Sequence, residues 1–154
     1  MSVLMVEDDE FKAQDISKVI DEVLHGIIVQ RANSVTSALK EISQSDFRCV
    51  ILDMSLPTFA LSGPGGGGSP QSQGGLEVLR LARRLSNKST FIIVTQYPDI
   101  EIDGRDVSLL LAPAALSARF SLDVKACLLY EFDGYAWRNP LRECLTAIIG
   151  KSEV

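Results

Sequence analysis

The sequence predicts an α/β fold: a doubly wound, five-stranded parallel sheet with helices on both faces. Short apolar runs alternate with segments whose apolar residues recur every three or four positions, and the alternation repeats five times. The runs are apolar at successive positions, as strands covered on both faces must be. One of them, Cys49-Val50-Ile51-Leu52, ends abruptly in Asp53, with Pro57 four residues on to stop further pairing. In an open parallel sheet, binding residues lie just beyond the carboxyl ends of strands, and Asp53 stands at such an end.

The 154 residues suit a single domain, 1–154, with a core that needs no disulfide or metal staple and with no output domain attached. Apolar residues at 46% and charged residues at 23% are the proportions of a globular protein in water. A net charge of -5 without a dense Lys/Arg cluster argues against a nucleic-acid surface. Arg80, Arg83 and Arg84 are spaced as the solvated face of a helix. Cys49, Cys127 and Cys144 form no metal-type pair and read as small hydrophobes in a reducing compartment. No basic, apolar leader and no run of about 18 apolar residues is present, so a cytoplasmic location without membrane insertion is expected.

Val3 to Val6 is the first strand, broken by Glu7-Asp8-Asp9-Glu10, acids that suit a helix N-terminus. Ile16, Val19, Ile20, Val23 and Leu24 form the inner stripe of a helix from Phe11 to Leu24, with Gly26 at its left-handed end. His25, the sole histidine, has no ligand-type neighbour and reads as a helix-end residue. Ile27 to Gln30 is the second strand. Asn33 or Ser34 caps a helix from Val35 to about Ser43. The strand ending at Asp53 is third.

Ser62 to Ser69 is a glycine-rich stretch inside a flexible insertion at about 60–75. It lacks the lysine and hydroxyl of a phosphate-cradling loop, since Leu76-Glu77 follows Gly75. Gly75 opens a helix lined by Leu76, Val78, Leu79, Ala82 and Leu85, and Thr90 to Thr95 is the fourth strand. Asp103-Gly104 is a turn, and a helix from about Arg105 to Arg119 is expected to be kinked or split by Pro113. Val124 to Tyr130 is the fifth strand. Pro140 suits the first turn of a last helix reaching Ile149. Tyr130, Phe132, Tyr135 and Trp137 are expected to pack over that strand and helix, with a binding surface as the alternative.

Strands one, three and four finish at Glu7-Asp8, Asp53 and Thr95. In a doubly wound sheet these strands are neighbours, so three carboxylates and a hydroxyl converge. Carboxylates so close raise one another's pKa, and a bound hard cation relieves the repulsion. Mg²⁺ suits such a set, because it binds oxygens and keeps waters that a phosphoryl group can replace. Asp53 could then attack phosphorus to give an acyl phosphate. Simple capping acids at Glu7, Asp8 and Asp9 are the plainer alternative.

These segments resemble the receiver domains of two-component response regulators, whose fold is the flavodoxin-like one. Val3-Leu4-Met5-Val6-Glu7-Asp8-Asp9 is similar to that family's first strand and acidic pair. Ile51-Leu52-Asp53-Met54-Ser55-Leu56-Pro57 resembles its phosphoacceptor segment. Gly75-Leu76-Glu77-Val78-Leu79 resembles the start of its third helix, and Ile92-Ile93-Val94-Thr95 its fourth strand. The likeness implies that Asp53 accepts phosphate from a histidine kinase or another phosphodonor protein. It implies Mg²⁺ held directly by Asp8 and Asp53, through water by Glu7, and by the Ser55 backbone carbonyl. Thr95 would hydrogen-bond the phosphoryl group, and a downstream effector protein would read the result.

Two departures stand out. The family's lysine just past the fifth strand is missing from Tyr130-Glu131-Phe132-Asp133-Gly134, and Lys125 lies at the far end of that strand. Loss of a fixed cation removes a few kcal/mol of transition-state stabilisation. Gln96 follows Thr95 where the family has a small residue, and so could crowd the phosphoryl position. A non-enzymatic signal receiver phosphorylated on Asp53 is therefore one expectation, and a pseudo-receiver that binds partners without phosphorylation is the other. An aspartate-nucleophile phosphatase is disfavoured, because Ser55 stands where it needs a second acid.

Overall fold

The computed structural model describes residues 2–58, 70–71 and 74–152. The main sheet contains β1 (Ser2–Val6), β2 (Ile28–Ala32), β3 (Cys49–Leu52), β6 (Thr90–Thr95) and β9 (Asp123–Leu129). Its order is β2-β1-β3-β6-β9, with every pairing parallel. This is the doubly wound arrangement the alternating pattern predicts.

Five helices cover it: α1 (Glu10–Val23), α2 (Val35–Gln44), α3 (Gly74–Arg84), α4 (Ala112–Phe120) and α5 (Arg138–Ser152). Alternate residues of each strand feed opposite faces. Val3 and Met5 of β1 pack with Ile16 and Ile20 of α1 and Leu141 and Leu145 of α5. Leu4 and Val6 pack with Ala38 of α2, Leu79 of α3 and Leu116 of α4. The buried stripe of each helix thus has a matching sheet face. No helix among the described residues is long and apolar enough to cross a membrane.

Local signals place most boundaries. Ser34 caps α2 through a reciprocal capping box with Ser37, and Gly26 adopts φ +75° after α1. Pro140 lies in the first turn of α5. Cys49 and Cys127 are buried, Cys144 is half-buried, and all three are free thiols.

The segment between β6 and β9 differs from expectation. Residues from Arg105 do not enter a helix: β7 (Asp99–Ile102) and β8 (Arg105–Ser108) form an antiparallel hairpin. Asp103 and Gly104 both have positive φ at its tip, as a tight two-residue hairpin turn requires. Pro113 neither kinks nor splits α4. It lies in the first turn, where a missing N–H costs no helical hydrogen bond.

Pro57 does not end pairing either, because β4 (Leu56–Pro57) makes a short antiparallel ribbon with β5 (Pro70–Gln71). Most of the expected glycine-rich insertion lies outside the described residues, as does the side chain of Ile149. The late aromatics divide. Tyr130 and Trp137 are buried with ring centroids 5.1 Å apart, whereas Phe132 and Tyr135 are exposed.

Candidate functional site

Register sets the site. Val6 of β1 pairs with Leu52 of β3, so the next residues, Glu7 and Asp53, leave the sheet side by side. The Asp53 N–H donates to the Val6 carbonyl at 3.0 Å, and the Glu7 N–H to the Ala32 carbonyl at 2.9 Å. Arg31 donates twice to the Glu7 carbonyl, at 3.1 and 2.9 Å, fixing the turn out of β1. Close packing from α3 completes the frame. A Cβ on Gly75 would lie 2.7 Å from the Asp53 carbonyl, so only glycine lets the helix begin there.

Glu7, Asp8 and Asp53 each bring a carboxylate oxygen within 4.8 Å of the other two. Glu7 and Asp53 are buried, and Asp8 is half-buried. The Asp8 carboxylate has no hydrogen bond or ion pair among the described residues. An all-oxygen set with one carboxylate unpartnered fits a hard divalent cation such as Mg²⁺.

Ser55 is half-buried, and its N–H donates to Asp53 Oδ1 at 3.3 Å. Thr95, fully buried at the end of β6, accepts the Tyr97 N–H at 3.3 Å. It helps line a cavity of about 270 Å³ with Met54, Tyr97 and Ile100, between the sheet edge and the β7–β8 hairpin. Gln96 is exposed.

The carboxylates are not left uncompensated inside the chain. Lys12 places Nζ 2.6 Å from Glu7 Oε1 and 3.3 Å from Asp53 Oδ1, with only 1% of its side chain exposed. Sequence reasoning missed this residue because it sought a lysine after the fifth strand. Lys125, in the first half of β9, makes no ion pair there, and the cation comes from α1 instead.

The Asp9 side chain caps α1 by accepting the Lys12 N–H at 3.0 Å, which fixes Lys12 in the first turn. Lys12 falls four residues before Ile16 and seven before Val19, on the helix's apolar stripe. That placement is the signal that could have found it, since a charge on a buried stripe needs a partner. Tyr130 follows β9 at the strand end, its ring centroid 5.8 Å from Lys12 Nζ. Its hydroxyl donates to Asp15 Oδ2 at 2.7 Å.

Burial pushes the Glu7 carboxyl up to about 8, with Asp53 adding to the rise and Lys12 opposing it. Burial also raises Asp53, against the pull of Lys12 and the Ser55 N–H. Burial thus favours the protonated form of both carboxyls, and Lys12 opposes it. A divalent cation held by this set would favour the ionised carboxylates, with Lys12 beside Asp53 as a fixed positive charge.

No family model matches the sequence. The chain is 30% identical over 146 residues to the Detocs response regulatory protein DtcB of Vibrio alginolyticus, covering 93% of this chain and 98% of that one. Its fold is similar to the receiver domain of Francisella response regulator 1452, with TM-score 0.64, 16% identity and 98% of each chain covered. It is also similar to the response regulator domain of Thermotoga maritima CheB, with TM-score 0.63, 16% identity, and coverage of 100% and 97%.

Proposed function

The chain belongs to the response-regulator family as a divergent receiver domain, and from that premise we propose that Asp53 accepts a phosphoryl group with Mg²⁺ bound and thereby switches the binding of a partner protein. The observation that carries this is the meeting of Glu7, Asp8 and Asp53 at one strand edge. The expected donor is a histidine kinase or another phosphodonor protein, and the reader is an effector protein. Residues 1–154 act in this reading as one non-enzymatic signalling domain.

Glu7, Asp8, Asp53 and the Ser55 backbone carbonyl would hold Mg²⁺, which when bound supplies positive charge against the phosphoryl oxygens. An Asp53 carboxylate oxygen forms the bond to phosphorus as the bond from phosphorus to the donor's imidazole nitrogen breaks. The electron pair leaves with the imidazole. Thr95, one strand over, would hydrogen-bond the phosphoryl group. The hydrogen bond from Ser55 and the pairing with Lys12 orient the Asp53 carboxylate for attack.

A second reading has one specific support: Tyr130, not lysine, follows the last strand. In that reading the domain binds partners without being phosphorylated. Incubation with Mg²⁺ and acetyl phosphate separates the two. A mass gain of one phosphoryl group in the wild type, absent in Asp53→Asn, is expected. No gain in a folded wild type would leave the pseudo-receiver. Asp8→Ala is expected to weaken Mg²⁺ binding at least tenfold in calorimetry.

A further inference from the structure

Lys12 makes an uncommon arrangement. A buried ammonium is costly unless paired and hydrogen-bonded. Lys12 lies within ion-pair distance of Glu7 and Asp53, and its ammonium has three donors to share between those two carboxylates. With two carboxylates beside it, one N–H is left free for another acceptor at the Asp53 edge.

We propose that Lys12 is the fixed cation of the phosphoryl site, supplied by the first turn of α1, holding the Asp53 carboxylate before transfer and donating to a phosphoryl oxygen after it. The inference rests on the phosphoacceptor role proposed for Asp53.

Three features besides that free donor support it. The ammonium is already 3.3 Å from Asp53 Oδ1, so a phosphoryl group joined to that carboxylate falls within its reach. Tyr130 stands just past β9, at the strand end where the family's lysine is expected. Its ring lies beside the ammonium, and its hydroxyl ties back to Asp15 on the same helix as Lys12. Charge also balances. Lys12 pairs with Glu7 and Asp53 but not with Asp8. Three carboxylates against one ammonium leave two negative charges, which one divalent cation neutralises. Lys12 therefore complements a metal rather than standing in its place.

In the transfer, the Asp53 oxygen–phosphorus bond forms and the bond to the donor breaks, the electron pair leaving with the donor group. Lys12 donates an N–H to a phosphoryl oxygen as a charge-assisted hydrogen bond.

The test uses the full chain with saturating Mg²⁺ and acetyl phosphate, followed by intact mass, beside calorimetry with Mg²⁺ alone and ¹⁹F NMR of the beryllofluoride adduct. Lys12→Met is expected to be labelled about 100-fold more slowly than wild type. Its Mg²⁺ affinity should be equal or tighter, and its beryllofluoride adduct weaker. Lys12→Arg should retain part of the rate. Lys12→Met with Tyr130→Lys, which returns an ammonium from the strand end, should recover part of it.

Labelling of Lys12→Met at the wild-type rate would overturn the inference while leaving Asp53 as acceptor. So would faster labelling together with a large gain in Mg²⁺ affinity, which would make Lys12 a plug in the metal site. An inert wild type would remove both readings. Should Lys12→Met fail to fold, the arginine variant and the double variant decide: slowed but detectable labelling in either supports the role, and labelling at the wild-type rate in both overturns it.

Discussion

Glu7 illustrates how one buried carboxyl sets the pH response of the fold. Its pKa is about 8 in the native state against 4.5 without burial, and burial is the main cause. Below 4.5 both native and unfolded chains hold the proton, and above 8 neither does. Between those values the native state keeps a proton that the unfolded chain has released, so stability falls as pH rises through the window. Glu7→Gln is expected to remove most of this slope, gaining a few kcal/mol over wild type above about pH 8 in urea unfolding without Mg²⁺. A variant as pH-sensitive as wild type would place the proton elsewhere. Lys12 acts in the opposite sense. Removing it strands two buried carboxylates, and Lys12→Met should lose about 3 kcal/mol near pH 8 and less in acid, where the carboxyls protonate.

Elements are governed by their ends. Ser34 is buried, and its side chain accepts the Ser37 N–H at 3.1 Å to close the capping box of α2. Ser34→Ala should therefore cost about 1 kcal/mol in chemical denaturation. At the other end of α4, Ser121 adopts φ +53° and ψ +46°, the left-handed region that glycine enters without a Cβ penalty. Ser121→Gly should raise stability by about 0.5–1 kcal/mol, and a loss would show that the serine side chain matters there. The β7–β8 hairpin follows the same logic. Asp103-Gly104 reads as a turn in either context, and pairing of Asp99–Ile102 with Arg105–Ser108 decides which kind it is. Helical periodicity does not extend back through Arg105–Ser108, because Ile100 and Ile102 enter the core as alternate residues of a strand.

The whole molecule stands on two cores divided by one sheet. Leu79 belongs to the core beneath α2, α3 and α4, and Leu145 to the core beneath α1 and α5, both fully buried. Leu79→Ala and Leu145→Ala are each expected to cost about 2–5 kcal/mol, nearly additively, because they share no partners. Metal should act on this scale too. At a hundred times its dissociation constant, Mg²⁺ should add about 2.7 kcal/mol, seen as a higher melting temperature than in chelator. Asp8→Ala should lose most of that shift.

Both the sheet order and the meeting of the acids were legible in the sequence. Apolar runs ending in Glu7-Asp8, Asp53 and Thr95 specify which strand ends carry polar groups, and the doubly wound topology then makes those ends neighbours. Such information is local: it lies in runs, breaks and caps of a few residues. Lys12 was not legible in that way, although its place on the α1 stripe was open to view. Whether a stem of four carbons crosses to Asp53, and whether the Tyr130 ring lies beside its ammonium, depends on how α1 docks against β1 and β9. Sequence alone determined the fold and the rim where its acids gather. Only the tertiary structure decided which cation answers them, because side chains distant along the polypeptide can pair only where packing sets the last few ångströms.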